Sequence, residues 1–168
     1  MANTNGTLYG NQIATPPVFA DAYEAGGRVR SVVDTFEIVA ADFDADGDTL
    51  KLYRLPAEAR IQAIKVANDD LDSATNMAIN IGVYDVDGNV KDEDAYASAV
   101  TQFQAAAGFT DLAFEARAIE NVNSQLWADA GDTEASHDPE YDIVITLNAA
   151  AATAQAGTVS FIIEYVID

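Results

Sequence analysis

The sequence contains no cysteine. That absence excludes disulfides, thiolate metal sites and cysteine nucleophiles together, so stability has to come from a packed core. Histidine is nearly missing as well. The one residue, His137, cannot build a multi-histidine metal site and would have to act alone in any histidine-based catalysis. Basic side chains are scarce, 8 Lys and Arg against 28 Asp and Glu, for a net charge of -20 and a pI near 4.1. A chain this anionic repels phosphate backbones, so no nucleic-acid partner is expected. Long apolar runs are lacking too: the longest, near Phe161, fall far short of the ~20 residues that cross a bilayer. Met1 is followed by a polar stretch, so a soluble chain with no secretory leader and no membrane partner is expected. No phosphate-binding loop, dinucleotide fingerprint or zinc spacing occurs.

What is present is enough apolar material to fold. Of the 168 residues, 49% are hydrophobic, which sets the chain apart from acidic disordered sequences and suits one domain with a sizeable core. The charge is unevenly spread. Residues 1–65 carry Arg28, Arg30, Lys51, Arg54, Arg60 and Lys65 against nine acids, whereas residues 66–168 carry two bases against nineteen. If the fold keeps these halves on different surfaces, one face is near neutral and the other strongly anionic.

Residues 1–27 show neither helical nor strand period before the Gly26-Gly27 break and read as an extended N-terminal arm. Leu8, Tyr9, Ile13, Val18 and Phe19 give that arm more apolar surface than a free tail usually carries, so they are candidate contacts with a neighbouring subunit or another protein. From residue 28 the period is two. Val29-Ser31-Val33 opposes Arg30-Val32-Asp34, and Phe36 and Ile38 extend the pattern. Further strands are expected over 49–55, 60–67, 77–83, 141–147 and 158–167, separated by turns rich in Asp and Gly. The spacing of Tyr96, Val100 and Phe103 behind Asp92 predicts a short helix within 92–104. Residues 109–122 fit strand or helix equally, and the Ala-rich 148–156 is expected to cross between strands as a loop. The expected fold is mainly β over 28–168: an antiparallel sandwich or jelly roll with one or two short helices.

Few groups suggest chemistry. Asp42, Asp44, Asp46 and Asp48, with Gly47, match the opening of a calcium loop, in which alternate carboxylates converge on a hard cation. The match stops there, because the twelfth position is Tyr53 rather than a bidentate acid. A solvated turn is the simpler reading, with any calcium weak and no cofactor needed for folding. Ser136-His137-Asp138 holds the residue types of a triad, but neighbours in sequence seldom reach triad geometry. With 28 acids no particular carboxylate pair stands out, and an enzyme is not expected. Trp127, the sole tryptophan, reads as a core or subunit-contact plug.

The run Gly47-Asp48-Thr49-Leu50-Lys51-Leu52-Tyr53-Arg54-Leu55-Pro56-Ala57-Glu58-Ala59-Arg60-Ile61, followed by Asp69-Asp70-Leu71-Asp72-Ser73, resembles a tailed-phage family of small virion proteins known as head decoration or cement proteins. The resemblance continues through Gln125-Leu126-Trp127, Asp138 to Leu147, and Gly157-Thr158-Val159, covering about 26–168. It implies a β-sandwich or jelly-roll subunit, usually a homotrimer, that sits on the outer surface of the capsid and clamps the major capsid protein. It implies no catalytic residues and no fixed contact motif. A lectin-like virion module that binds sugars or cells is the other reading, because jelly rolls serve that role as well. Exposed aromatics among the acids between Tyr84 and Tyr96 would favour it.

Overall fold

The computed structural model describes residues 11, 13–18, 28–41 and 43–167. Eight strands follow in chain order: β1 (Arg28–Ile38), β2 (Thr49–Pro56), β3 (Arg60–Asn68), β4 (Ala78–Tyr84), β5 (Val90–Val100), β6 (Ala107–Asp111), β7 (Glu140–Ala149) and β8 (Gly157–Ile167). They form two four-stranded antiparallel sheets with the orders β1-β8-β3-β6 and β2-β7-β4-β5. β1 pairs with β8, β2 with β7, β3 with β6 and β4 with β5. The chain is thus one long hairpin, folded at the tight turn between β4 and β5 and then rolled until β3 meets β8 and β4 meets β7. That nested wiring is an eight-stranded jelly roll.

The roll closes because its strands alternate. Ile61, Ile64 and Val66 of β3 and Val159, Phe161 and Ile163 of β8 lie in one inner face; Ile79, Ile81 and Val83 of β4 and Ile143, Ile145 and Leu147 of β7 lie in the other. All are buried in one cluster. Each large side chain so buried is worth about 1.5–3 kcal/mol, which makes this interface the main source of stability. Phe43 and Phe103 cap the cluster edge to face at 6.3 Å.

The six strands expected from period and β-branched content are present. The helix expected within 92–104 is not. Residues 90–100 form β5, followed by a 3-10 turn at Gln102–Gln104. The apolar spacing has a different cause: between the pairs Val83↔Asp92 and Ile81↔Ala97, two steps of β4 are matched by five of β5. This large bulge turns Tyr96 into the core and lays the Asp92–Glu93 backbone across the outer side of β4. Tyr96 thus enters the core from the bulge and Phe103 from the 3-10 turn after it, on one side as in a helix.

The segment left open between strand and helix, 109–122, contains both the end of β6 and a 3-10 turn at Ile119–Asn123. One further helical turn, α1 (Leu126–Asp129), docks on the β2–β3 turn, where the Leu126 and Trp127 N–H groups donate to the Ala59 and Ala57 carbonyls. Of the Ala-rich 148–156, expected as a loop crossing, Asn148 and Ala149 end β7 and 150–156 form the loop. Among the described residues no helix is long and apolar enough to cross a membrane.

Candidate functional site

The outer face of the β1-β8-β3-β6 sheet differs from the rest of the surface. On β8 the buried Val159, Phe161 and Ile163 alternate with Ser160, Ile162 and Glu164, so the second set points outward. Register then places Val33, Ile162 and Lys65 in one row and Val29, Val166 and Arg60 in another. Val29 and Val33 are 66% and 65% exposed, high values for valines in a regular strand. Lys65 Nζ donates to Glu164 Oε1 at 2.8 Å, and this hydrogen bond raises the lysine pKa. The four strands carry Arg28, Arg30, Arg60 and Lys65 against Asp34, Glu37, Asp111 and Glu164. Over the whole sheet these charges cancel, in a chain whose net charge is -20; Arg28, Arg30 and Asp34 share the parity of Val32 and Phe36, so the outer face itself carries Arg60 and Lys65 against Glu37, Asp111 and Glu164.

A near-neutral face was expected if the two halves of the sequence kept to separate surfaces. They do not. Each sheet draws strands from both halves, and neutrality belongs to one sheet because rolling the hairpin brings β1 and β3 beside β6 and β8.

The opposite sheet pairs its charges across its exterior. Lys51 and Arg54 converge on Asp142, at 3.1 Å and 2.7 Å. Burial opposes the charge on this carboxyl, but the hydrogen bonds from Arg54 and Lys51 outweigh it and lower its pKa. Tyr84 shares a 2.7 Å hydrogen bond with Thr146, and the β5 bulge lies alongside.

Many of the other acids lie in loops at the ends of the roll. At one end the loops 39–48, 69–77, 101–106 and 150–156 meet: Leu71 N–H donates to the Phe103 carbonyl, Gln155 N–H to that of Leu71, and the Asn76 amide to that of Ala150. These loops bring Asp44, Asp46, Asp48, Asp69, Asp70 and Asp72 together with no basic residue. Of the expected calcium ligands, Asp42 lies outside the described residues. Asp48 accepts the N–H groups of Asp44 and Ala45 at 3.0 and 2.8 Å, and Asp46 accepts that of Ala150 at 2.5 Å. Two carboxylates are thus turned toward backbone. Among the described residues no three Asp, Glu or His side chains are grouped to hold a metal.

At the other end the long β6–β7 connection is tied down by Arg117. Its guanidinium pairs with Asp129 at 2.9 Å, donates to the Ile61 carbonyl, and lies between the rings of Tyr96 and Phe114. Tyr96 also donates to Asp129. Burial pushes the Asp129 carboxyl up despite that cation, and the Tyr96 hydroxyl rises well above its usual value. Sequence spacing could not have flagged this group, whose members come from a strand, a loop and a helical turn. Ser136-His137-Asp138 lies nearby and forms no relay: His137 Nδ1 bonds the Asp138 carbonyl and the ring stacks on Trp127, while Ser136 pairs with Thr133. Trp127 packs partly buried against the core.

Of the arm residues, Ile13 and Val18 are exposed, and Leu8, Tyr9 and Phe19 lie outside the described residues. Tyr84 and Tyr96 are buried, so the exposed aromatics that would have marked a sugar-binding surface are not there.

A scan against protein-family models finds no match, and a search of curated proteins finds no relative. Solved structures do show the fold. A chain of the cyanophage Pam1 capsid asymmetric unit superposes with a TM-score of 0.55 at 21% identity, with 100% of both chains covered. A chain of the capsid of Ralstonia phage GP4 gives a TM-score of 0.57 at 21% identity, covering 83% of this chain and 85% of that one.

Proposed function

We propose that this chain is a virion structural protein, a decoration or cement protein that binds the outer surface of a phage head and holds neighbouring coat-protein subunits together. The observation that carries the reading is the valine-bearing outer face of the β1-β8-β3-β6 sheet, which holds two bases against three acids in a chain of net charge -20. A binder docks most readily through the surface where association costs least electrostatic repulsion, while its anionic remainder stays in solvent. The two capsid chains with the same fold support the setting. The reading assigns no catalysis and needs no cofactor. Assembly as a homotrimer is the state that the family resemblance implies, and the arm residues Leu8, Tyr9, Ile13, Val18 and Phe19 add apolar area to the same contact.

The test uses phage heads lacking the protein. The purified chain is expected to co-sediment with heads saturably, and Val33→Asp to bind at least tenfold more weakly, because it adds a charge and removes apolar area from the docking face. Val33 is exposed, so the variant should melt like the wild type. Ile119→Asp, on the 3-10 turn, is the control and should bind normally. Equal affinity of Val33→Asp and wild type would remove the sheet face from the contact, and no binding by the wild type would overturn the reading.

A further inference from the structure

A strand at the edge of a sheet presents unpaired N–H and C=O groups, and most folded proteins blunt such edges with shortness, bulges, proline or a covering segment. Three of the four edges here are blunted. β6 has five residues and a register shift against β3. β2 has a shift between Lys51 and Tyr53 and ends at Pro56. β5 carries three shifts and folds across β4. β1 is neither short, bulged nor interrupted by proline: its eleven residues pair with β8 without a break from Arg28↔Ile167 to Ile38↔Gly157, and the one such device it carries is charge, which is of both signs. Its outer side has no strand beside it among the described residues.

The charge pattern of β1 says what fits that edge. Arg28 and Arg30 occupy its first third, Asp34 and Glu37 its last. A second β1 laid parallel would set arginines beside arginines and acids beside acids. Laid antiparallel, it brings opposite charges together, and directly opposed charges of opposite sign stabilise a strand pair. We infer that β1 is a self-association edge, at which a second copy of this chain pairs antiparallel about a two-fold axis through Val32, with Arg30 opposite the partner's Asp34.

This register matches like face with like face. Val32 meets the partner's Val32, Arg28 lies opposite the partner's Phe36, and on the outer side Val29 and Val33 lie opposite the partner's Thr35 and the partner's Ser31. Residues of one parity share a side of a sheet, so the two four-stranded sheets become one of eight strands and the two valine rows form a single surface. The contact is local and near neutral, so the large net charge of each copy opposes it least at this edge. It joins copies two at a time, whatever other contacts the chain makes, and does not depend on what the valine face docks to.

Sedimentation velocity of the full chain over roughly 1–500 μM, in buffered saline at about 0.15 M, tests it. In the wild type the weight-average mass is expected to rise with concentration toward twice that of the Arg30→Asp and Asp34→Arg variants, each of which sets like charges opposite one another and should weaken association at least tenfold. The double variant Arg30→Asp/Asp34→Arg restores the pairing with the signs exchanged and should return to within about threefold of wild type. Circular dichroism should show all four chains folded, since both residues are exposed. Alternate amides of β1, those facing away from β8, should gain hydrogen-exchange protection with concentration in the wild type and the double variant only. Equal masses for the wild type and both single variants, or a double variant that is not rescued, would overturn the inference.

Discussion

Replacing Gly82 with alanine is expected to cost at least about 3 kcal/mol and to lower the melting temperature by roughly 6–12 °C. The reason is space. A Cβ built on Gly82 would lie 2.1 Å from the Asp92 carbonyl oxygen and 2.3 Å from Glu93 backbone atoms, because the β5 bulge crosses the outer side of β4 at this residue. Backbone cannot swing aside as the end of a side chain can, so the bulge must lift as a unit. Lifting it pulls on Tyr96, whose ring is buried and whose hydroxyl bonds Asp129. Gly47→Ala is the informative comparison. Gly47 has φ +90 and nothing within 4 Å of the added carbon, so its cost is backbone strain alone, about 1 kcal/mol. Thermal melts of both variants check the ordering, and a Gly82→Ala chain that melts with the wild type would show that the bulge does not press on β4.

Asp72→Asn is expected to cost about 4 kcal/mol at neutral pH, or roughly 8–16 °C in melting temperature. Asp72 is fully buried, and its carboxylate accepts four backbone N–H groups: Ala74 and Thr153 on one oxygen, at 3.2 and 3.0 Å, and Asn76 and Met77 on the other, at 2.6 and 2.7 Å. It therefore fastens the β3–β4 loop to the β7–β8 loop. An asparagine keeps the shape but turns an NH2 toward two of those donors. Burial by itself would raise the pKa of Asp72, but the four N–H groups outweigh it and hold it at about 2. A carboxyl depressed in the folded state stabilises fully above its unfolded value near 4 and loses that contribution as pH falls toward 2. The stability gap between wild type and Asp72→Asn should thus be constant near neutrality and shrink below about pH 4. A gap unchanged down to pH 2 would mean that the charge of Asp72 is not what holds the loops.

Local pattern carried much of the fold into view and little of the surface. β3, β4, β7 and β8 alternate or run apolar because they line the core, and their side chains announce this without knowledge of their neighbours. β5 misled because Tyr96, Val100 and Phe103 keep helical spacing, and only the extra residues matched against β4 turn that spacing into a bulged strand. The aspartates of 42–48 read as a solvated turn more simply than as an ion loop, and what separates these is whether an oxygen faces a cation or an N–H group. Asp46 and Asp48 accept N–H groups of Ala150, Asp44 and Ala45, the first of which is more than a hundred residues away.

The sequence by itself determined that the chain folds without disulfides, that its elements are mainly strands, and that its charge disfavours nucleic acid, because composition and period-two burial act within a few residues. Tertiary structure alone decided where that charge ends up and which edge stays open. Rolling the hairpin cancels four bases against four acids on one sheet, leaves most of the other described acids in loops, and leaves β1 at the rim, since the partners of a strand are set by closure of the whole sheet and not by the strand's own residues.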